Sequence, residues 1–271
     1  MTTAPVLLRQ VDAFTNRPFL GNPAAICLVA KPRESGWMQQ VAQEMNLSET
    51  AFVTARTDGD FDLRWFTPTT EVDLCGHATL ASAHIVWEED LLPHASTIRF
   101  HTRSGVLTAR RLEHGIELDF PTQPEVATQA PRELVEALGV TPEYVGRNET
   151  DYLIELASES VVRDVQPDFR RLAGVPMRGV MITAAGRPSA ASPQYDFVSR
   201  FFAPAVGVDE DPVTGSAHCC LGPFWQRRLG RDRLHGFQAS SRGGYVGIWV
   251  RGGRVLLSGE AVTVFRAELL C

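Results

Sequence analysis

Two stretches and one isolated glutamate carry residue types suited to moving a proton. Asp209-Glu-Asp-Pro-Val-Thr-Gly-Ser-Ala-His218 sets carboxylates, a proline and a Gly-Ser pair directly ahead of an apolar run, Cys219 to Trp225. It reads as a loop feeding the N-terminus of a buried helix. Val72-Asp-Leu-Cys-Gly-His77 leads in the same way into Gly76 to Trp87, which is small or apolar nearly all round and predicts a helix enclosed by protein. A helix N-terminus carries roughly +0.5 charge and several unpaired N–H groups, so either start can hold a carboxylate. The same donors stabilise the charge that develops when a proton leaves the carbon beside that carboxylate. Gly76 and Gly215, at the two starts, let backbone approach closely.

Glu49 is the acid/base candidate. It follows a short turn and precedes an apolar strand, so partly dry surroundings would raise its pKa toward neutrality. The competing reading is a solvated glutamate at a strand start. His77 stands at a helix start, where the imidazolium is disfavoured, so a neutral, hydrogen-bonding ring is expected. A satisfied structural histidine fits its position equally well. Asp211 either orients a substrate or caps the helix.

Several sharper readings fail on spacing. Ser216 and His218 lie two apart on a helix, so their side chains diverge by about 200° and cannot form a nucleophile–base pair. No G-x-S-x-G elbow supports a hydrolase. His77 and His84 share a helix face but lack a third ligand. Asp209 and Asp211 imitate the start of a calcium loop, yet Val213 and Cys220 fall where oxygen ligands are needed. No metal is expected, and no glycine-rich phosphate loop occurs. Asn22, in Gly-Asn-Pro, either lines the site or, the reading preferred, serves the turn.

The chain that must position these groups has 271 residues, enough for two modest domains. With 44% hydrophobic and 21% charged residues it is an ordinary globular chain, which excludes disordered and collagen-like classes. Its net charge of −6 and the lack of a Lys/Arg cluster argue against nucleic acid or an anionic membrane as partner. A small molecule or another protein remains. The five cysteines form no C-x-x-C or Cys/His zinc spacing and suit buried positions in a reducing compartment. Met1 to Val6 has no signal-peptide character, and no apolar run reaches a membrane span, so a cytoplasmic soluble protein is expected.

In order, the pattern predicts strands at Val6 to Ala13 and Ala24 to Val29, then a helix at Ser35 to Met45 with Ser35 as cap. Strands follow at Thr50 to Ala55 and Phe61 to Thr67, then the Gly76 helix, then short strands at 98–100, 105–110 and 116–120. Pro121 to Pro131 reads as a linker. The second half gives strands at 152–156, 180–184 and 195–202, a short helix at 168–173, a loop at 185–193 and the Gly215 helix. Strands at 237–240, 245–250, 255–258 and 261–268 close the chain.

The halves repeat. Arg64-Trp-Phe-Thr-Pro68 matches Arg200-Phe-Phe-Ala-Pro204, and Val72-Asp73 matches Val208-Asp209, all 136 residues apart. After a three-residue insertion, Gly76-His-Ala78 matches Gly215-Ser-Ala217 at a spacing of 139. More weakly, Glu49 to Thr54 lines up with Arg178 to Thr183. Each half is therefore expected to be a strand-rich unit wrapped on one central helix. A pseudo-twofold that set the two helix starts face to face would make a carboxylate site between them.

The combination of Val-Asp-Ala-Phe-Thr (11–15) with Gly-Asn-Pro (21–23), Asn-Leu-Ser-Glu-Thr-Ala-Phe-Val (46–53), Cys-Gly-His-Ala-Thr (75–79) and the Asp209–His218 stretch resembles the phenazine-biosynthesis isomerase (PhzF-like) family, over nearly the whole chain. The resemblance implies the α+β fold of the diaminopimelate epimerase superfamily. That fold has two pseudo-symmetric domains, each a barrel-like, mostly antiparallel sheet around a central helix, with the active site between them. The domains would span 1–120 and 121–271, the last strand returning to the first domain. It further implies an isomerase that moves a proton on a dihydro-hydroxyanthranilate-like ring without cofactor. Glu49, His77 and Asp211 would be its catalytic residues, with Gly76, Gly215 and Ser216 binding a small carboxylate substrate. A homodimer is expected on the same ground. The epimerase branch uses one cysteine from each half. Cys75 stands at the first position but Thr214 at the second, so two-thiol racemisation is unavailable. Racemase or epimerase chemistry of another kind, and a silent binding protein, stay open as alternatives.

Overall fold

The computed structural model describes residues 6–93, 97–186 and 195–270. They form two compact units, one of Met1–Asp119 with Ser258–Cys271 and one of Phe120–Leu257. Unit 1 begins with β1 (Val6–Ala13), β2 (Asn22–Leu28), α1 (Ser35–Met45), β3 (Glu49–Ala55), β4 (Phe61–Phe66) and β5 (Glu71–Val72). Helix α2 (Gly76–Glu88) and strands β6 (Ile98–Thr102), β7 (Gly105–Arg111) and β8 (Ile116–Pro121) follow. Unit 2 carries β9 (Val126–Ala127), α3 (Arg132–Leu138), β10 (Tyr144–Arg147), β11 (Asp151–Glu155), α4 (Glu159–Asp164) and α5 (Phe169–Leu172). It continues through β12 (Gly179–Ala185), β13 (Phe197–Ala203), β14 (Val208–Asp211), α6 (Gly215–Leu229), β15 (Arg233–Gln238), β16 (Gly244–Arg251) and β17 (Arg254–Gly259). The chain then returns to unit 1 as β18 (Ala261–Leu269), antiparallel to β1.

Each unit alternates parallel and antiparallel pairings in the same sequence. In unit 1, β2–β3 is parallel, β3–β4 antiparallel, β4–β6 parallel and β6–β7 antiparallel. In unit 2, β11–β12, β12–β13, β13–β15 and β15–β16 repeat that series. The register repeats too. Phe61 pairs with Phe100 and Phe197 with Gly236, and both partners are displaced by 136 residues.

One expected match shifts by a residue. Thr50 pairs with Phe66 and Val180 with Phe202, so the backbone equivalent of Glu49 is Gly179 and not Arg178. Gly179 offers no side chain for sequence matching because none fits: a Cβ there would lie 2.4 Å from Phe201 Cζ and 2.9 Å from the Phe202 carbonyl oxygen. Burial of a methyl group at that distance requires the neighbours to move.

The central helices are enclosed, as their composition demands. In α2, ten of thirteen residues are buried, and its two hydroxyl side chains bond within the helix. Thr79 Oγ1 donates to the Cys75 carbonyl at 2.5 Å and Ser82 Oγ to the Ala78 carbonyl at 2.7 Å, which satisfies hydroxyls that have no water. Helix α6 contains Pro223, whose missing N–H strands the carbonyl of Cys219. The backbone N–H of Gln123 takes that carbonyl at 2.9 Å, so the helix continues with no orphaned acceptor. Core side chains of unit 2 include Leu134, Ile154, Val180, Ile182, Val198 and Phe202; those of unit 1 include Leu8, Ala25, Val41, Phe52 and Phe66.

Smaller departures have local causes. The N-cap of α1 is Glu34, without a side-chain cap, because Ser35 Oγ instead accepts from Arg64 at 2.7 Å. The expected linker 121–131 carries the last residue of β8 and all of β9. Helices α3 and α4 were not anticipated; at seven and six residues they are too short to show helical periodicity. Most of the loop expected at 185–193 lies outside the described residues. Among the described residues, no helix is long and apolar enough to cross a membrane.

Candidate active site

The start of α2 gathers the unit 1 candidates. Cys75 is its N-cap in an extended conformation, and no side chain caps the helix. Intrahelical bonding begins only with Thr79 N–H to the Cys75 carbonyl at 3.2 Å, which leaves the first-turn donors of Gly76 and His77 pointing outward. Strand β3 delivers Glu49 at its first residue, and the neighbouring strand β2 delivers Asn22 at its own first residue.

His77 sits at the centre of this group. Its Nε2 lies 3.1 Å from Glu49 Oε2, and its Nδ1 lies 3.5 Å from Cys75 Sγ and 3.2 Å from Asn22 Nδ2. The His77 side chain is 5% exposed and that of Glu49 18%. The contact between Nε2 and Oε2 is close but not aligned as a hydrogen bond, and neither atom has another hydrogen-bond partner among the described residues. Two buried polar atoms left this way are costly, and a ligand that bonds to them recovers the loss. Asn22, expected to serve a turn, is fully buried and holds the ring instead.

Burial opposes the imidazolium form of His77. The Cys75 sulfur and the Glu49 carboxylate, one at each ring nitrogen, outweigh burial and hold its pKa well above the ordinary value. The expectation of a neutral ring is thereby corrected: a carboxylate in direct contact outweighs the partial charge of a helix start. Burial, with the charge of Glu49, pushes the Cys75 thiol up to about 11, so it is protonated at neutral pH. A carboxylate oxygen, the sulfur and a ring nitrogen fall within 4.8 Å of one another.

Unit 2 repeats this construction with different chemistry. Thr214 is the N-cap of α6, again without a side-chain cap, and bonding begins with His218 N–H to the Thr214 carbonyl at 3.3 Å. Its hydroxyl donates to Asp211 at 2.5 Å and accepts from Gln238 Nε2 at 3.1 Å, while Gln238 Oε1 accepts the Thr214 N–H at 2.9 Å. Asp211 therefore fixes Thr214, the residue at the N-cap position of α6. Ser216, the repeat equivalent of His77, accepts from Arg178 at 3.1 Å, and Arg178 also forks onto the buried carboxylate of Asp151. Arg178 thus meets Ser216 as Glu49 meets His77, although its backbone lies one residue earlier. Gly76 and Gly215 open their helices as the first helical residues.

Two other histidines lie outside the acid/base cluster. His84 Nε2 contacts Thr263 Oγ1 at 3.1 Å, away from the helix start. His218 Nδ1 donates to the Thr214 carbonyl at 2.7 Å, and burial lowers its pKa to about 4. Sequence reasoning weighed Asn22 as lining the site but preferred a turn role, and it missed Arg178 and Gln238 as site-forming residues. Only the position of Arg178 directly ahead of β12 could have signalled one of them.

Two sheet-enclosed helices with uncapped starts, one of them bearing an acid/base cluster, fit an isomerase of the epimerase-like fold class. The family model described as phenazine biosynthesis-like protein (PhzC-PhzF) matches residues 11–267, and the chain belongs to that family. An isomerase of Halalkalibacterium halodurans, itself named uncharacterized, is 54% identical over 271 residues, all of both chains. The crystal structure of a PhzF-family phenazine biosynthesis protein from Enterococcus faecalis superposes with a TM-score of 0.91 at 37% identity, covering 98% of this chain and 99% of that one. A probable proline racemase from Agrobacterium radiobacter shares the fold at a TM-score of 0.64 and 10% identity, covering 97% of this chain and 92% of that one.

Proposed function

We propose that this isomerase shifts a proton on a small, carboxylate-bearing substrate, with Glu49 as general base and no cofactor. The observation that carries the reading is the buried pair of Glu49 Oε2 and His77 Nε2, 3.1 Å apart and without hydrogen-bond partners, beside the uncapped start of α2. The first-turn N–H groups at Gly76 and His77 would hold the carboxylate and take up charge as the proton leaves. The imidazolium of His77 would donate a hydrogen bond to the substrate and steady the developing negative charge. By the repeat, Gly215 and Ser216 are assigned matching donor roles in unit 2, with Asp211 fixing the helix start they belong to.

A one-base proton shift is favoured over two-thiol racemisation. The residue equivalent to Cys75 is Thr214, whose hydroxyl is committed to Asp211 and Gln238. It has no basicity to offer.

The test is deuterium incorporation from D₂O into a panel of cyclic unsaturated carboxylates, including a dihydro-hydroxyanthranilate. Wild-type protein is expected to label one of them, and Glu49→Gln to label it about 10²- to 10⁴-fold more slowly. Labelling by Glu49→Gln at the wild-type rate overturns the assignment.

A further inference from the structure

The C-terminal half of α2 borders a cavity of about 370 Å³, a size typical of small-molecule pockets, whose whole wall belongs to unit 1. His84, Trp87 and Glu88 of α2 form one side, Arg111 and Glu113 near the β7–β8 turn another, and Glu260, just ahead of β18, a third. His84 follows His77 by two helical turns, about 10 Å along the axis, so this cavity is separate from the site at the helix start. We propose that it binds an α-amino acid as the zwitterion. Arg111 takes the carboxylate, Nδ1 of His84 accepts from the ammonium, and the side chain lies against Trp87 and Ile116.

The acceptor on His84 follows from the partners of the ring. Thr263 Oγ1 donates to Glu88 Oε2 at 2.7 Å, which commits its one proton. At its 3.1 Å contact with His84 Nε2 the hydroxyl must therefore accept, so the neutral ring carries its proton on Nε2. Nδ1 keeps its lone pair and has no hydrogen-bond partner among the described residues. Burial lowers the pKa of His84, and Arg111 adds to that against the opposite pull of Glu88, so the ring is neutral at neutral pH. What it offers a ligand is an acceptor.

The charges of the wall select the zwitterion. Arg111 is near enough to act on His84, yet its guanidinium has no ion pair or hydrogen bond among the described residues. Three carboxylates share the wall with it. Glu88 is engaged by Thr263 and by Arg266 at 3.3 Å, and Glu260 by Asn16 at 2.9 Å. Glu113 is 91% exposed, with His114 at 3.9 Å. A phosphate or dicarboxylate would meet this excess of negative charge, and a simple amine would meet Arg111; adjacent charges of both signs suit the wall. The wall is also preformed. Leu112 N–H donates to the Gly115 carbonyl at 2.9 Å, and a Cβ on Gly115, at φ 97°, would lie 2.5 Å from the Gly259 carbonyl oxygen, so the turn is pressed against the end of β17. Trp87 and Ile116, both buried, supply the apolar surface.

The test is isothermal titration calorimetry on the whole protein with L-phenylalanine and L-leucine. Each is compared with the acid that lacks its ammonium (hydrocinnamate, isocaproate) and the amine that lacks its carboxylate (phenethylamine, isoamylamine). At least one amino acid is expected to bind one to one, and its two analogues about 10-fold more weakly or worse. Binding of neither amino acid at millimolar concentration rules the proposal out, and so does an analogue that binds as tightly as its parent. Arg111→Gln alters an exposed, unpaired position, so the urea midpoint should hold while the amino acid binds at least about 10-fold more weakly. His77→Asn should bind it as the wild type does. Unchanged binding by Arg111→Gln overturns the site, and loss in His77→Asn would put the ligand at the helix start instead. In ¹⁵N spectra, saturating amino acid should move the Nδ1 resonance of His84; an unmoved resonance also overturns the proposal. The site stands or falls independently of the isomerase reading.

Discussion

Nε2 of His77 stands 3.1 Å from Oε2 of Glu49, inside a cluster from which water is nearly excluded. A histidine buried alone would lose its proton; this one keeps it because the Cys75 sulfur and a carboxylate from the start of β3 both act on the ring. The base and the cation of the site are thus coupled. When Glu49 accepts a proton its charge disappears, and the imidazolium beside it becomes a stronger acid at that moment.

The first prediction follows from that coupling. The folded-state pKa of His77 lies above the 6.5 of an unfolded chain, so its proton stabilises the fold fully below that value. The stabilisation is lost as pH rises through the folded value. In Glu49→Gln one of the two groups that raise it is gone, so the His77 pKa should fall. The stabilisation that the wild type gains toward acid should then be smaller in the variant and be lost at a lower pH. Ring NMR titrations and urea midpoints on either side of neutrality would show both effects. Identical His77 titrations in the two proteins would refute the coupling.

A second prediction concerns Arg178, which contacts Ser216 at 3.1 Å and forks onto Asp151, whose side chain is fully buried. Arg178→Gln leaves that carboxylate without its cation and should cost about 3 kcal/mol of stability, measured by urea unfolding. Arg178→Lys keeps the charge but not the fork, and should recover only part of the loss. Because Ser216 would also lose its anchor, the exchange rate in D₂O should fall in both variants. Full stability in Arg178→Gln would show that Asp151 is neutral in the fold.

These relationships were unevenly legible in the amino-acid sequence. The repeat could be read because each half needs a glycine at a helix start and a buried helix after it, and Gly76-His-Ala and Gly215-Ser-Ala keep that grammar. Glu49 stood out because a charged residue opens an otherwise apolar strand. The register around it did not. Where β12 passes Phe201 and Phe202 only glycine fits, so Gly179 carries no pattern to align and the match slipped to Arg178. Asn22 was misread for a related reason. Gly-Asn-Pro is turn-like in composition, yet the turn ends at Gly21, at φ 65°, and Asn22 has already entered β2. The protonation of His77 was out of reach, because it depends on a contact between residues 28 positions apart on different elements.

The last prediction tests the opposite response in a second buried histidine. His218 is fully buried on α6, and its Nδ1–H is held by the Thr214 carbonyl at 2.7 Å. The other nitrogen, Nε2, has no hydrogen-bond partner among the described residues and faces the backbone at Gly236, where an added Cβ would lie 3.2 Å away. Protonation there would place a charge against the Phe197 ring with nothing to receive its hydrogen, and the pKa accordingly falls to about 4. The unfolded chain takes up that proton first as pH drops. Stability is therefore complete above pH 6.5 and is lost as pH falls toward 4, by up to about 3 kcal/mol from this one residue. In His218→Gln, whose amide can still donate to Thr214, the acid limb of the urea midpoint should flatten. The wild-type ring resonances should show no titration through the neutral range, where those of His77 remain in the charged form. If His218 titrates near its ordinary value, the start of α6 is open to water and the tight Thr214–Asp211–Gln238 arrangement cannot be its resting state.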